Sequence, residues 1–139
     1  MSSPTVPDEE WVTSVIEIMA GQKGVTDVIV LTGDGLMLGA TTAQADQGDA
    51  EGCAAAASGI LSCGKAIASK LTGGQAVARQ AVVETDEGFV VALPAGENAY
   101  LLVHTDTSTD LGLVTYEAKR LVKRLGERVL ASAPRDRIT

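Results

Sequence analysis

Few residues of this 139-residue chain combine the type and spacing that enzyme chemistry requires. The single histidine, His104, could act as a general base, but no serine or cysteine motif is placed to supply a nucleophile beside it. A lone histidine at a strand end is more often structural than catalytic. Cys53 and Cys63 lack the spacing of a zinc-binding pair. The sequence therefore predicts no catalytic residue and no metal site.

A glycine-rich segment, residues 32–35 followed by Gly39, loosely imitates a nucleotide-binding fingerprint. A phosphate cradle needs a helix that opens directly after the glycines, so that its N-terminal amides face the anion. Here an apolar alternation typical of a second strand follows Gly35. We therefore interpret Asp34-Gly35 as a hairpin turn and expect no cofactor. No glycine-rich loop ends in Lys-Ser or Lys-Thr, which excludes a P-loop nucleotide hydrolase.

Hydrophobic periodicity and turn residues predict three helices and five strands in the order α-β-β-α-β-β-β-α. One domain is expected over residues 8–132, with a flexible N-terminus over residues 1–7 and a frayed tail over residues 133–139. The predicted helices span residues 8–20, 49–71 and 111–132, and the predicted strands span residues 25–31, 36–40, 76–85, 89–93 and 99–105.

The predicted second helix contains an uncharged, small-residue segment, CAAAASGILSC at residues 53–63. Two rows of apolar residues run along this helix, and together they are wider than packing against one sheet requires. The first row is Cys53, Ala57, Ile60, Gly64, Ile67 and Leu71, and the second is Ala54, Leu61 and Ala68. We predict that this helix packs against its own copy. The alternative, that the protein's own core buries both rows, stays open at this point.

The predicted third strand carries two polar residues, Arg79 and Gln80, within an otherwise apolar run. Such an interruption suits the edge of a sheet better than its centre, and an edge strand can pair with its symmetry mate. At the turn after this strand, Glu84, Asp86 and Glu87 are interpreted as solvent-facing charge.

Charge and composition argue against nucleic-acid binding as the function of this chain. Aromatic residues make up only 3% of the chain, fewer than base-stacking modules use. Residues 1–118 carry sixteen acidic and four basic side chains, which argues against nucleic-acid binding. Residues 119–139 carry seven basic side chains, and those from Lys119 to Arg128 are interpreted as a solvated helix face.

The positions of the two cysteines and the lack of a signal segment indicate the cellular compartment of the protein. Cys53 and Cys63 lie ten positions apart in the predicted second helix, so their Cα atoms are about 15 Å apart, too far for a disulfide. Free thiols are typical of a reducing cytosol. No signal segment and no apolar run of membrane-spanning length is visible. We therefore expect a cytoplasmic protein.

Three segments together resemble the roadblock/dynein light chain family: GVTDVIVLTGDGLMLGA at residues 24–40, ASGILSCGKAIASKL at 57–71 and DLGLVTYEAKRLVKRL at 110–125. The resemblance covers about residues 8–130 and is greatest to short, single-domain bacterial members of the actinobacterial type. It implies an α+β, profilin-like sandwich, in which a five-stranded antiparallel sheet has the long second helix on one face and the terminal helices on the other.

The same resemblance implies a homodimer, in which the second helices pack together and the third strands pair edge to edge. Its residues would be Ala56, Gly59, Ile60, Cys63 and Ile67 at the helix pairing, with Arg79, Gln80 and Val82 at the strand pairing.

Family members of this type are non-enzymatic regulators or scaffolds for small Ras-like GTPases, so the resemblance implies a GTPase regulator. Two alternatives stay open. One is a passive dimeric scaffold, for instance one that holds a sensor kinase near its effector. The other is a profilin-like domain that binds a small ligand in a pocket.

Overall fold

A computed structural model describes residues 8–96 and 98–132, with side chains described through residue 124. Its elements follow the predicted order. They are α1 (Glu9–Ala20), β1 (Val25–Thr32), β2 (Met37–Thr41), α2 (Gln47–Thr72), β3 (Ala81–Thr85), β4 (Gly88–Pro94), β5 (Ala99–Thr105) and α3 (Leu111–Ser132). The predicted N-terminal segment over residues 1–7 and the predicted tail over residues 133–139 lie outside the described residues.

The five strands form one antiparallel sheet in the order β2-β1-β5-β4-β3. Side chains alternate between its faces, so Val28 and Val30 pack beneath α1 and α3 while Ile29 and Leu31 pack beneath α2. The sheet is therefore covered by two helices on one face and by one on the other, as the resemblance implied. The third strand lies at an edge of the sheet, which confirms that part of the sequence prediction.

Local chemistry fixes where the helices begin and end. Asp8 caps α1 by accepting a hydrogen bond of 2.7 Å from the backbone N–H of Trp11. Asp46 caps α2 in the same way by accepting from the backbone N–H of Asp49. Gly73 ends α2 in the left-handed conformation. None of the helices in the described ranges has the length and hydropathy that a membrane crossing needs.

The prediction for the third strand was wrong in one respect. The strand begins at Ala81, so Arg79 and Gln80 precede it. Ala81 pairs with Ala92, and the same register continued backwards would place Arg79 opposite Pro94. Because proline has no backbone N–H to donate, the ladder cannot continue regularly past this point. Arg79 and Gln80 are therefore exposed residues of the segment that joins α2 to β3.

The turn between β3 and β4 depends on Gly88, whose φ of +148° is rarely adopted by residues with a side chain. A Cβ at this position would overlap the Thr105 carbonyl oxygen and lie 2.8 Å from its carbonyl carbon. We expect Gly88→Ala to lower the free energy of unfolding by about 3 kcal/mol through strain and overlap. Urea denaturation of the purified protein measures this cost.

Gly96→Ala is the matched control. Gly96 has a φ of +87°, but among the described residues no atom beyond its chain neighbours lies within 4 Å of the position its Cβ would take. Its substitution should cost only about 1 kcal/mol, which is the conformational part alone. An equal decrease in the free energy of unfolding for the two variants would contradict the close contact of Gly88 with Thr105 in β5.

Candidate protein interface and adjacent cleft

Only one side of α2 packs against the sheet. The buried residues Ala50, Ala54, Ala57 and Leu61 recur at helical spacing and face the sheet. The opposite side is an exposed ridge without charge, which we call the α2 ridge. It consists of Gly52, Ala56, Gly59, Cys63 and Ala66. The protein's own core therefore buries Ala54, Ala57 and Leu61 and half-buries Ala68, but it leaves most of the first row exposed.

The two flanks of α2 differ in polarity. On one flank the Ser58 hydroxyl donates a hydrogen bond of 2.9 Å to the carbonyl oxygen of Gly33, in the turn between β1 and β2. This contact orients that flank toward the β2 end of the sheet, so the other flank points toward β3. The flank toward β3 is apolar, and Ile67 and Leu71 on it are 59% and 82% exposed.

The β3 edge continues this exposed apolar area. β3 pairs only with β4 among the described strands, and its Val82 and Val83 are 39% and 43% exposed. The ladder between β3 and β4 is regular, whereas the ladder of the other edge strand, β2, shifts register between Val30 and Leu31. Irregular ladders blunt an edge, and a regular open edge is a template for another strand. We call the α2 ridge, its apolar flank and the β3 edge the α2–β3 surface.

The residues that the family resemblance assigned to dimerisation all lie on or beside this surface. Ala56, Gly59 and Cys63 belong to the α2 ridge, and Ile60 and Ile67 belong to its apolar flank, with Ile60 half-buried. Val82 lies in β3, while Arg79 and Gln80 precede it. The structure thus brings the predicted residues together on one accessible face, and their pairing with a second copy remains a prediction.

An open cleft of about 530 Å³ lies on the α2 side of the sheet, beside the N-terminal half of that helix. Its floor is apolar and includes Ile29, Val90 and Leu102. Its wall includes Cys53 of α2, and its polar rim carries Asp27, Glu87, His104 and Asp106. Among the described residues that line it there is no lysine or arginine, so carboxylates set the charge of this cleft.

Hydrogen bonds hold Asp27 at the centre of the rim. His104 Nδ1 lies 2.7 Å from Asp27 Oδ2, the Thr26 hydroxyl donates to the same oxygen at 2.6 Å, and the Ala43 backbone N–H donates to Oδ1 at 3.0 Å. Burial acts to raise the pKa of Asp27, but hydrogen bonds from Thr26, His104 and the Ala43 backbone, together with the electrostatic interaction with His104, outweigh it and lower that pKa. Asp27 is therefore ionised at neutral pH.

The side-chain hydrogen bonds of His104 within the described chain go to Thr26 and Asp27, and none joins it to Cys53. The sequence reading missed the pairing of Asp27 with His104 and the cleft around it. Asp27 and His104 lie 77 residues apart and meet only because the ladder of β1 with β5 sets them opposite each other. No local sequence signal encodes that register.

The chain is similar in sequence and in fold to known proteins. The Roadblock/LC7 domain model matches residues 13–105. A Roadblock/LC7 domain from Streptomyces avermitilis is similar with a TM-score of 0.72 and 26% identity, over 90% of this chain and 99% of that chain. The gliding protein MglB from Thermus thermophilus is similar with a TM-score of 0.71 and 20% identity, over 92% and 98% of the two chains.

Profilin IB from Acanthamoeba castellanii has the same general fold, with a TM-score of 0.59 and 18% identity over 83% of this chain and 95% of that chain. This likeness and the Streptomyces structure confirm the predicted profilin-like sandwich. A sequence search among curated proteins found no match.

The Asp27 cluster predicts a defined pH dependence of stability. A carboxyl whose folded-state pKa is lowered contributes stability above its unfolded pKa of about 4, and loses it as the pH falls through the folded value. We expect Asp27→Asn to remove this contribution, so that the loss of stability below about pH 4 becomes shallower than in the wild type. Urea unfolding midpoints measured between neutral pH and pH 3 test this.

Asp86→Asn is the control, because Asp86 lies exposed in the turn between β3 and β4 and makes no hydrogen bond through its carboxylate with a described residue. Below about pH 4, the urea unfolding midpoint of this variant should fall with pH as steeply as that of the wild type. Parallel wild-type and Asp27→Asn profiles would contradict the role assigned to Asp27.

Proposed function

Because the chain belongs to the Roadblock/LC7 domain family, we propose that it is a non-enzymatic, cytoplasmic homodimer that regulates a small Ras-like GTPase. The observation that carries this proposal is the α2–β3 surface, an uncharged helix ridge continuous with exposed aliphatic side chains and an open strand edge. Contiguous exposed apolar area of this kind marks a protein interface. The family membership supplies the class of partner.

The shape of the surface favours a second copy as its first partner. Two β3 edges that pair antiparallel about a two-fold axis merge the two five-stranded sheets into one and keep both α2 helices on the same face. The ridge residues Gly52, Ala56 and Gly59 have little or no side chain, so two helix backbones can approach closely there. Extra strand hydrogen bonds and helix packing would then stabilise the dimer together.

The paired α2 helices would present a broad, two-fold symmetric face to the GTPase. A regulator of this kind acts by binding one nucleotide state of its partner more tightly than the other, and it needs no catalytic side chain of its own. The chain carries no P-loop, which supports placing the nucleotide site on the partner. The fold similarity to MglB agrees with this class of function without specifying it.

Gly59→Glu tests the homodimer. Outside its own helix backbone, a Cβ at Gly59 meets no atom of the described residues within 4 Å, and glutamate favours a helix over glycine, so the protomer should stay folded. In the dimer the same change would bury two carboxylates close together, which is costly. We expect light scattering at micromolar concentration to give about twice the 14.3 kDa protomer mass for the wild type and the protomer mass for the variant.

Thr13→Glu provides the control for this experiment, since Thr13 is exposed on α1, on the other face of the sheet. It should leave the dimer intact. A monomeric wild type, or a Gly59→Glu variant that remains dimeric, would refute the proposed helix pairing.

The regulatory function is tested by capturing partners from native lysate with the tagged protein, once with excess GDP and once with a non-hydrolysable GTP analogue. We expect mass spectrometry to find a small GTPase enriched in one nucleotide state. The Gly59→Glu variant as bait shows whether this enrichment requires the dimer. A constant set of proteins without a GTPase would refute the regulator and favour the passive scaffold, including one that holds a sensor kinase.

A further inference from the structure

The exposed side of α3 carries charge of only one sign through residue 124, where the described side chains end. Its exposed residues, which we call the α3 outer face, are Gly112, Leu113, Tyr116, Lys119, Arg120, Lys123 and Arg124. Four of these seven residues are cations and none is a carboxylate. Within the described part of the chain, Arg120 alone among the four has an ion pair, at 2.9 Å from the half-buried Glu117. The other three cations are available to a partner.

Apolar side chains occupy the end of this face where α3 begins. Leu113 and Tyr116 are 53% and 62% exposed. Steps of three and four residues place them on one row with Arg120 and Lys123. Neighbouring exposed apolar side chains within a charged face are typical of an interaction site.

α1 extends the apolar end of this face through Ile18, which is 43% exposed. Ile16 contacts Gly39 at the β2 edge, and a residue two positions further along a helix lies on nearly the opposite side. Ile18 therefore points away from β2, toward the side on which α3 packs. The end of α1 lies beside the start of α3, because the Thr109 hydroxyl donates a hydrogen bond of 3.0 Å to the carbonyl oxygen of Lys23.

The charge of α1 restricts the shape of the partner. α1 carries three exposed carboxylates, Glu9, Glu10 and Glu17, and no lysine or arginine. A flat anionic surface such as a membrane would approach α1 and α3 together, so repulsion from α1 would offset attraction to α3. A partner no wider than one helix can instead lie along the α3 outer face alone.

The ends of the chain itself do not have the charge that complements this face. Residues 1–7 contain no carboxylate side chain, and residues 133–139 contain one aspartate and two arginines. The α3 outer face also lies on the side of the sheet opposite α2. Pairing of two copies through the α2–β3 surface would therefore leave it uncovered.

We propose that the α3 outer face, together with Ile18, is the docking site of an acidic helix from another protein. Aliphatic side chains at one end of that helix pack on Ile18, Leu113 and Tyr116, and its carboxylates pair with the cations toward the other end. From Leu113 to Arg124 the face is about 16 Å long, which corresponds to about three turns of a docked helix. Because the apolar and the charged contacts lie at separate ends, they also fix the direction of the docked helix.

A synthetic peptide tests this site. The probe is a fluorescein-labelled peptide of about 20 residues, long enough to form a helix, with leucines at helical spacing in one half, glutamates in the other and alanines elsewhere. We expect fluorescence anisotropy to show saturable binding to the full chain. Lys119→Glu combined with Lys123→Glu should raise the dissociation constant by about tenfold, because two attractions become repulsions. Tyr116→Ser should raise it by about tenfold as well, since aromatic anchors dominate the energy of interfaces.

Lys65→Glu combined with Lys70→Glu is the matched control. It makes the same change of net charge at exposed positions of α2, on the other side of the sheet, and should leave the dissociation constant unchanged. A second peptide with serine in place of every leucine keeps the charge of the probe and should bind about tenfold more weakly. Equal binding of the two peptides, or an equal loss in the control variant, would overturn the proposal, because either would show nonspecific charge attraction.

Two further outcomes would assign the face to another occupant and overturn the proposal. One is binding of phosphatidylserine vesicles, but not of the peptide, that is lost in the Lys119→Glu, Lys123→Glu variant. The other is self-association of the Gly59→Glu variant that the same two changes abolish, which would identify a second copy. Matching circular dichroism spectra and urea midpoints show that each variant is folded.

This inference does not depend on the homodimer. The Gly59→Glu variant should bind the peptide with the dissociation constant of the wild type, because Gly59 and the α3 outer face lie on opposite sides of the sheet. Either proposal can therefore fail while the other holds.

Discussion

The regular edge of β3, which no described strand covers, is the constraint on which the rest of this architecture depends. A strand edge exposes backbone donors and acceptors that remain available to another strand, and proteins cover, shorten or distort such edges. The ladder of β2, at the opposite end of the sheet, is distorted by a register shift between Val30 and Leu31. β3 is short but regular, and its exposed valines add apolar area to the open edge. These features make the edge suited to one defined pairing.

The amino-acid composition of α2 is consistent with the pairing of two copies at the β3 edge. Alanines on its buried side let the helix lie close to the sheet, and their small side chains bury little area per residue. On its outer side glycine, alanine and cysteine continue the pattern where solvent exposure alone would favour charge. Exposed helical glycines weaken a helix relative to alanine. A helix that accepts this cost on its outer side is consistent with close packing against another backbone.

The helices and strands could be predicted from the sequence, but the contacts between residues far apart in the chain could not. Periodic apolar residues and turn residues located α1 and α2 within a few residues, and β5 was predicted with its observed bounds. The start of β3 was missed because it depends on Pro94 in a neighbouring strand, and a ladder partner is not a local signal. Both rows of α2 were apolar, so hydrophobicity alone could not decide which row the sheet would bury. The cleft required the pairing of β1 with β5, which sets Asp27 beside His104.

The cleft and the α2 ridge are linked through Cys53, which lines the cleft and lies next to the ridge residue Gly52. In the proposed homodimer, the register of two β3 strands would fix how far one copy is displaced along the other. Because the sheet carries α2, the same displacement fixes which residues of the two α2 ridges meet. Side-chain spacing along a strand is about 3.3 Å per residue, so a two-residue change of register moves the helices by more than one helical turn. The strand register of the proposed homodimer would therefore determine the helix face that a third protein contacts.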